Sequence, residues 1–99
     1  MTIAYSCGNE VEVYSNNITK HDAIITVAVS SSCAGDRIQG PQVLARKQDG
    51  SESHRKRLPK PGGVDSFTVE EGGKAFVQCE GTGLAGCSVE VTVNSVKLS

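Results

Sequence analysis

Apolar residues recur at every second position wherever they are dense in this chain, which is the period of half-buried strands. In Glu10-Val11-Glu12-Val13-Tyr14 the two valines face one way and the two carboxylates the other. Ala23 to Ser30 (AIITVAVS) sets Ile25, Val27 and Val29 on one face and Ile24, Thr26 and Ala28 on the other. Both faces are fairly apolar, so this segment is predicted to be a central strand. Gln42 to Lys47, Glu52 to Leu58, Ser66 to Val69, Lys74 to Cys79 and Cys87 to Val93 complete the set, and no stretch combines helical spacing with caps. The expected fold is all-β: a small antiparallel β-sandwich, immunoglobulin-like or jelly-roll-like, of about seven to eight short strands, with residues 1–99 as a single domain.

The segments between strands carry turn chemistry. Asp49-Gly50 tolerates positive φ at both central positions of a type I′ turn, which predicts a two-residue hairpin with Lys47 opposite Glu52. Pro59-Lys60-Pro61-Gly62-Gly63 cannot sit inside a ladder and is expected to cross between sheets, with Glu70-Glu71-Gly72-Gly73 as a tight turn after it.

Composition limits the core. The 99 residues include no tryptophan and only four aromatics, Tyr5, Tyr14, Phe67 and Phe76, so Val, Ile, Leu and Ala must fill a thin interior. A hydrophobic fraction of 37% argues against a disordered chain, and a formal charge of −1 argues against a wholly basic nucleic-acid binder. No secretory leader and no apolar run long enough to span a bilayer is expected from the sequence, so no membrane insertion is anticipated.

Four cysteines are the most informative residues. If Lys74–Cys79 and Cys87–Val93 form a hairpin, pairing Cys79 with Cys87 also pairs Val77 with Val89 and Ala75 with Val91, apolar against apolar. Setting Cys7 opposite Cys33 likewise sets Val11 against Val29 and Val13 against Val27. Disulfides Cys7–Cys33 and Cys79–Cys87 are the leading connectivity of three, with Cys7 also able to reach a neighbouring subunit. Such bridges imply an extracellular, cell-surface or particle-associated location. Metal ligation is disfavoured because no CxxC pair is present and His21 and His54 are far apart; a reactive thiol is disfavoured because the glycine-rich surroundings of Cys79 and Cys87 supply no basic neighbour.

Charge is uneven along the chain. Between Arg46 and Lys60 lie six cations and two carboxylates, a local +4 against −5 for the remainder. Arg46, Arg55, Arg57 and Lys60 are the candidate contacts for a polyanion or an acidic partner. An edge hairpin guarded against aggregation by its charges accounts for the same residues, and the lack of interleaved aromatics disfavours nucleic acid. Alternation places Arg55 and Arg57 on one face with Ser53, and His54, Lys56 and Leu58 on the other. Asn17-Ile18-Thr19 fits the glycosylation acceptor pattern. No carboxylate pair or Ser/His arrangement suits catalysis, so neither an enzyme nor a cofactor is expected.

The closing pattern of an SFTV strand, a glycine-rich loop and a final strand opened by Cys87 resembles the end of small jelly-roll subunits of bacterial surface fibres. No residue role is carried over from that likeness. The function expected is that of a non-enzymatic structural or assembly protein that docks onto itself or onto a larger fibre, envelope or virion, with protein partners of the same or a different kind. The alternative is a monomeric binding module for carbohydrate, polyanion or an acidic protein surface through the 46–60 hairpin.

Overall fold

A computed structural model describes residues 1–5, 8–29, 41–58, 63–78 and 87–98, apart from the side chains of Val29 and Cys87. Eight strands form: β1 (Thr2–Tyr5), β2 (Val11–Ser15), β3 (His21–Val29), β4 (Gln42–Arg46), β5 (Glu52–Arg57), β6 (Val64–Val69), β7 (Lys74–Gln78) and β8 (Cys87–Lys97). They build two four-stranded antiparallel sheets, ordered β1-β8-β3-β6 and β2-β7-β4-β5. The pairings β4 with β5, β3 with β6, β2 with β7 and β1 with β8 are nested, one inside the next. That is an antiparallel ribbon folded over on itself, the jelly-roll arrangement. An immunoglobulin order, with several consecutive strands paired as hairpins, does not form.

Alternation decides which residues line the interior. Ala23, Ile25 and Val27 of β3, Phe67 and Val69 of β6 and Val89 and Val91 of β8 meet Val13, Val43, Ala45, Ala75 and Val77 from the second sheet, with Leu58 closing one side. The segment expected to be central is so: β3 lies between β8 and β6.

Both hairpin registers drawn from the cysteines are corrected. Val77 pairs with Val11 and Val43, and Val89 with Ile3 and Val29, so β7 and β8 lie in opposite sheets, as do β2 and β3. Inward parity was right, since Val77 and Val89 are both fully buried, but they meet across the core and not along a ladder. Of the seven strand-to-strand connections only β4 to β5 stays within one sheet. Cys7, Cys33 and Cys79 lie outside the described residues, and Cys87 opens β8 opposite Tyr5. Lys60 also lies outside them.

The β4–β5 turn differs in kind from the expected one. Asp49 keeps negative φ and only Gly50 is left-handed, at φ 89°. Gly50 N donates to Lys47 O (2.9 Å) and Lys47 N to Ser51 O (2.8 Å), so Lys47 faces Ser51, and Arg46 takes the place opposite Glu52. This is a type I turn closed by a glycine bulge. The Asp49 carboxylate selects it by accepting from Ser51 N and Oγ at 2.8 and 2.6 Å, a local bond that a left-handed Asp49 does not need. Those bonds hold the Asp49 carboxyl below its ordinary pKa.

At the end where β2 leads into β3, Asn16 is fully buried and saturated. Its Nδ2 donates to His21 O (2.9 Å) and Val69 O (3.0 Å), and its Oδ1 accepts from Ile18 N (3.1 Å). Its own N–H donates to Gly73 O and its carbonyl accepts from Gly72 N, both at 2.9 Å. One residue thus ties the β2–β3 connection to the end of β6 through its side chain and to the turn before β7 through its backbone. Gly73 is required there, because a Cβ would stand 2.8 Å from Arg46 O and 3.0 Å from Glu70 O.

Tyr5 is the opposite case. Its ring is in the core, but its hydroxyl finds no partner among the described residues, and burial raises its pKa above the ordinary 10.0. A raised folded-state pKa means that the neutral phenol's contribution is intact below pH 10 and is lost as pH rises through the folded value. Tyr5→Phe is expected to gain about 1 kcal/mol by removing an unsatisfied hydroxyl, and to flatten the loss of stability above pH 10. Urea denaturation of both proteins across the alkaline range measures this, and an equally steep loss in the variant would assign the alkaline step to another group.

Candidate functional site

The outer faces of the two sheets differ in chemistry. On the β2-β7-β4-β5 sheet the charges are paired with one another. Arg46 makes a bidentate bond to Glu10 (2.9 and 2.8 Å) and lies over the Phe76 ring with its guanidinium carbon 5.4 Å from the centroid. Arg55 bonds Glu52 at 2.7 and 3.1 Å and also donates to Gln42. Lys74 reaches Glu12 at 3.3 Å. The Arg55 pair lowers the Glu52 pKa and raises that of Arg55. Leu44, on this outward row between Phe76 and Arg55, is nonetheless fully buried.

The four candidate anion-binding residues are therefore placed as follows. Arg46 and Arg55 share this outer face and each already holds a carboxylate. Arg57 ends β5 and is also engaged, and Lys60 is not among the described residues. Sidedness along β5 is as alternation requires, with Leu58 in the core and His54 turned inward.

His54 belongs to a cluster that the sequence reading missed. Its Nε2 lies 2.6 Å from Asp65 Oδ2, its ring stacks on Phe67 (centroids 4.8 Å apart, planes at 15°), and Lys56 Nζ stands 3.8 Å from Asp65 Oδ1. Asp65 is almost fully buried on β6, in the opposite sheet. The cluster fastens the two edge strands β5 and β6 across the sandwich. Its signal was present in the parity of both strands, since His54 shares a face with Leu58, and Asp65 with Phe67 and Val69. No hydroxyl or thiol of the described residues is bonded to it; the Thr26 and Ser66 hydroxyls bond each other at 2.8 Å on the other side of the β6 sheet. Among the described residues no three His, Cys, Asp or Glu side chains converge as a metal site.

The β1-β8-β3-β6 sheet presents a different surface. Its outward rows run Val96-Asp22, Asn94-Ile24-Thr68, Thr92-Thr26-Ser66 and Glu90-Ala28-Val64 across β8, β3 and β6. Asp22 and Glu90 are the charges in these rows, and Glu90 is occupied by the N-terminal amine (2.8 Å) and the Thr2 hydroxyl, which lower its pKa. Seven large hydrophobic residues are exposed among the described residues: Met1, Ile18, Ile24, Val64, Val93, Val96 and Leu98. All but Ile18 belong to this sheet or flank it.

The sheet also has an incomplete edge. β1 pairs with β8 only from Thr2–Glu90 to Tyr5–Cys87, and Met1 extends the contact to Val91. From Thr92 to Lys97, no described strand lies on that side of β8. No protein-family model matches this chain, and no curated protein matches it.

Proposed function

We propose that this is a non-enzymatic structural or assembly protein: a small β-sandwich that docks onto copies of itself or onto a larger extracellular or particle-borne assembly such as a fibre, envelope or virion. The observation that carries the reading is the concentration of exposed apolar side chains on the β1-β8-β3-β6 sheet, opposite a sheet whose charges are paired among themselves. Ile24, Val64 and Val96 lie on the outer face of the β1-β8-β3-β6 sheet and Val93 on the opposite face at its open edge, and exposed apolar side chains gathered on one part of a protein mark contact sites. Binding a polyanion through the 46–60 hairpin is less well supported, because Arg46 and Arg55 would have to give up Glu10 and Glu52 first.

Disulfides remain part of the proposal on the number and spacing of the cysteines alone, since Cys7, Cys33 and Cys79 lie outside the described residues. Bridges among the four would go with an oxidising location.

Light scattering after size exclusion is the test, taken to about 1 mM, where even a contact of ~4 kcal/mol populates an assembly. Concentration-dependent mass growth is expected. A strictly monomeric mass throughout would remove the homotypic reading. Intact mass of the unreduced protein should fall about 4 Da below that of the reduced chain, two hydrogens being lost per bridge; four free thiols would move the protein to a reducing compartment.

A further inference from the structure

We infer that the open stretch of β8 from Val93 to Lys97 is a strand-pairing site for the same stretch of a second copy, joined antiparallel about a two-fold axis at Ser95. This rests on the assembly reading and specifies its surface.

Backbone direction fixes which groups are available. Val91 N donates to Met1 O at 2.7 Å and the N-terminal amine donates to Val91 O at 2.8 Å, so the peptide groups of Val91 point towards β1. On the other side, Leu98 N donates to Lys20 O at 2.9 Å in continuation of the β3 pairing. With a period of two, the N–H and C=O groups of Val93, Ser95 and Lys97 point to the β1 side, where β1 has already ended. They form a ladder edge with no strand on it among the described residues.

Native edges are usually blunted by charge, and other strands here follow that rule. β5 (ESHRKR) offers Arg55, Lys56 and Arg57, β2 carries Glu12, and β6 carries Asp65. The open part of β8 carries one charge, Lys97 at its end. Val93 and Val96 within it, Leu98 after it and Met1 beside Val91 are all exposed.

The occupant follows from self-complementarity. In an antiparallel ladder the hydrogen-bonded partners must both be odd-numbered here. Centring on Ser95 pairs Ser95 with itself, Val93 with Lys97 of the other copy, and Asn94 with Val96 in the intervening positions. No like charges stand opposite each other; the two lysines are offset by four residues, roughly 13 Å. Moving the axis towards Asn94 would bring Lys97 against Val91, whose edge Met1 already fills. A β5–β5 contact centred on Arg55 or Lys56, by contrast, would set cations against cations. The two-fold contact is closed, with the same patch used on both copies, and produces one continuous eight-stranded sheet.

Ser95→Pro separates this edge from the rest of the fold. The lost N–H faces the open side and not β3, and proline is tolerated on edges with that orientation. The variant should keep the wild-type circular dichroism, while its dimer dissociation constant rises at least about tenfold, because the axis removes the same donor from both copies. Ser95→Lys should weaken the dimer as well, and it decides the matter if the proline variant unfolds. Amide exchange by NMR gives the register: Val93, Ser95 and Lys97 should be protected at high concentration and exchange rapidly on dilution. Assembly that survives both substitutions, or leaves those three amides unprotected, overturns this interface and leaves the assembly reading standing. A monomeric wild type at about 1 mM overturns the interface together with the homotypic reading.

Discussion

Asn16→Ala should cost about 3 kcal/mol or more, because three side-chain hydrogen bonds disappear at a fully buried position and the strand carbonyl of Val69 is left without its donor. In a domain of this size that corresponds to a fall in melting temperature on the order of 15 °C. Asn16→Asp should be worse at neutral pH. Two donations become contacts between a carboxylate and carbonyl oxygens, and a charge is buried with only the Ile18 and Asn16 backbone environment to receive it. Thermal melts of the two variants at constant pH provide the comparison. An Asn16→Ala protein that melts within a degree or two of wild type would mean that water replaces the clamp at no cost.

The second large effect is expected from Ile25→Ala, set beside Ile24→Ser. Ile25 is fully buried at the centre of β3, paired with Phe67 on one side and Val93 on the other, and truncating it leaves a cavity in a thin core. A loss of about 2–5 kcal/mol is expected. Ile24, one residue earlier and 39% exposed, points outward between Thr68 and Asn94. Its replacement by serine should change stability by only about 0.5 kcal/mol. Urea midpoints for the two variants would expose any error in the inward face of β3, since a wrong parity exchanges the two results.

Parity was legible in the sequence to the level of single residues; pairing was not. Val77 and Val89 were placed inward correctly, as were Leu58 and, by the same rule, His54. Alternation says which side of a sheet a residue faces and is silent on which strand lies next to it. Sequence neighbours usually pair, yet six of the seven connections between the described strands change sheets. β1 was missed because Thr2–Tyr5 is too short to show a period. The Asp49-Gly50 pair marks the turn, whereas its type depends on the serine after the glycine, which captures the Asp49 carboxylate. The asymmetry between the outer faces was out of reach for the same reason as the pairing: which strands share a sheet decides whether Ile24, Val64 and Val96 form one surface.

Nested pairing also sets the order in which the chain can close. The β4–β5 turn brings together residues only a few positions apart, whereas β3 with β6, β2 with β7 and β1 with β8 each enclose a longer loop than the pair before. Closing the long loops first carries the larger entropy cost, so zippering outward from Lys47–Ser51 is the least expensive route. β8, which follows the other seven described strands in the chain, is a middle strand of its sheet, lying between β1 and β3. Until it arrives, β1 has no neighbour and the inner faces of β3 and β6 lack Val89 and Val91. Half of the sandwich cannot close before β8 is made, and the nascent chain must carry that apolar surface until then.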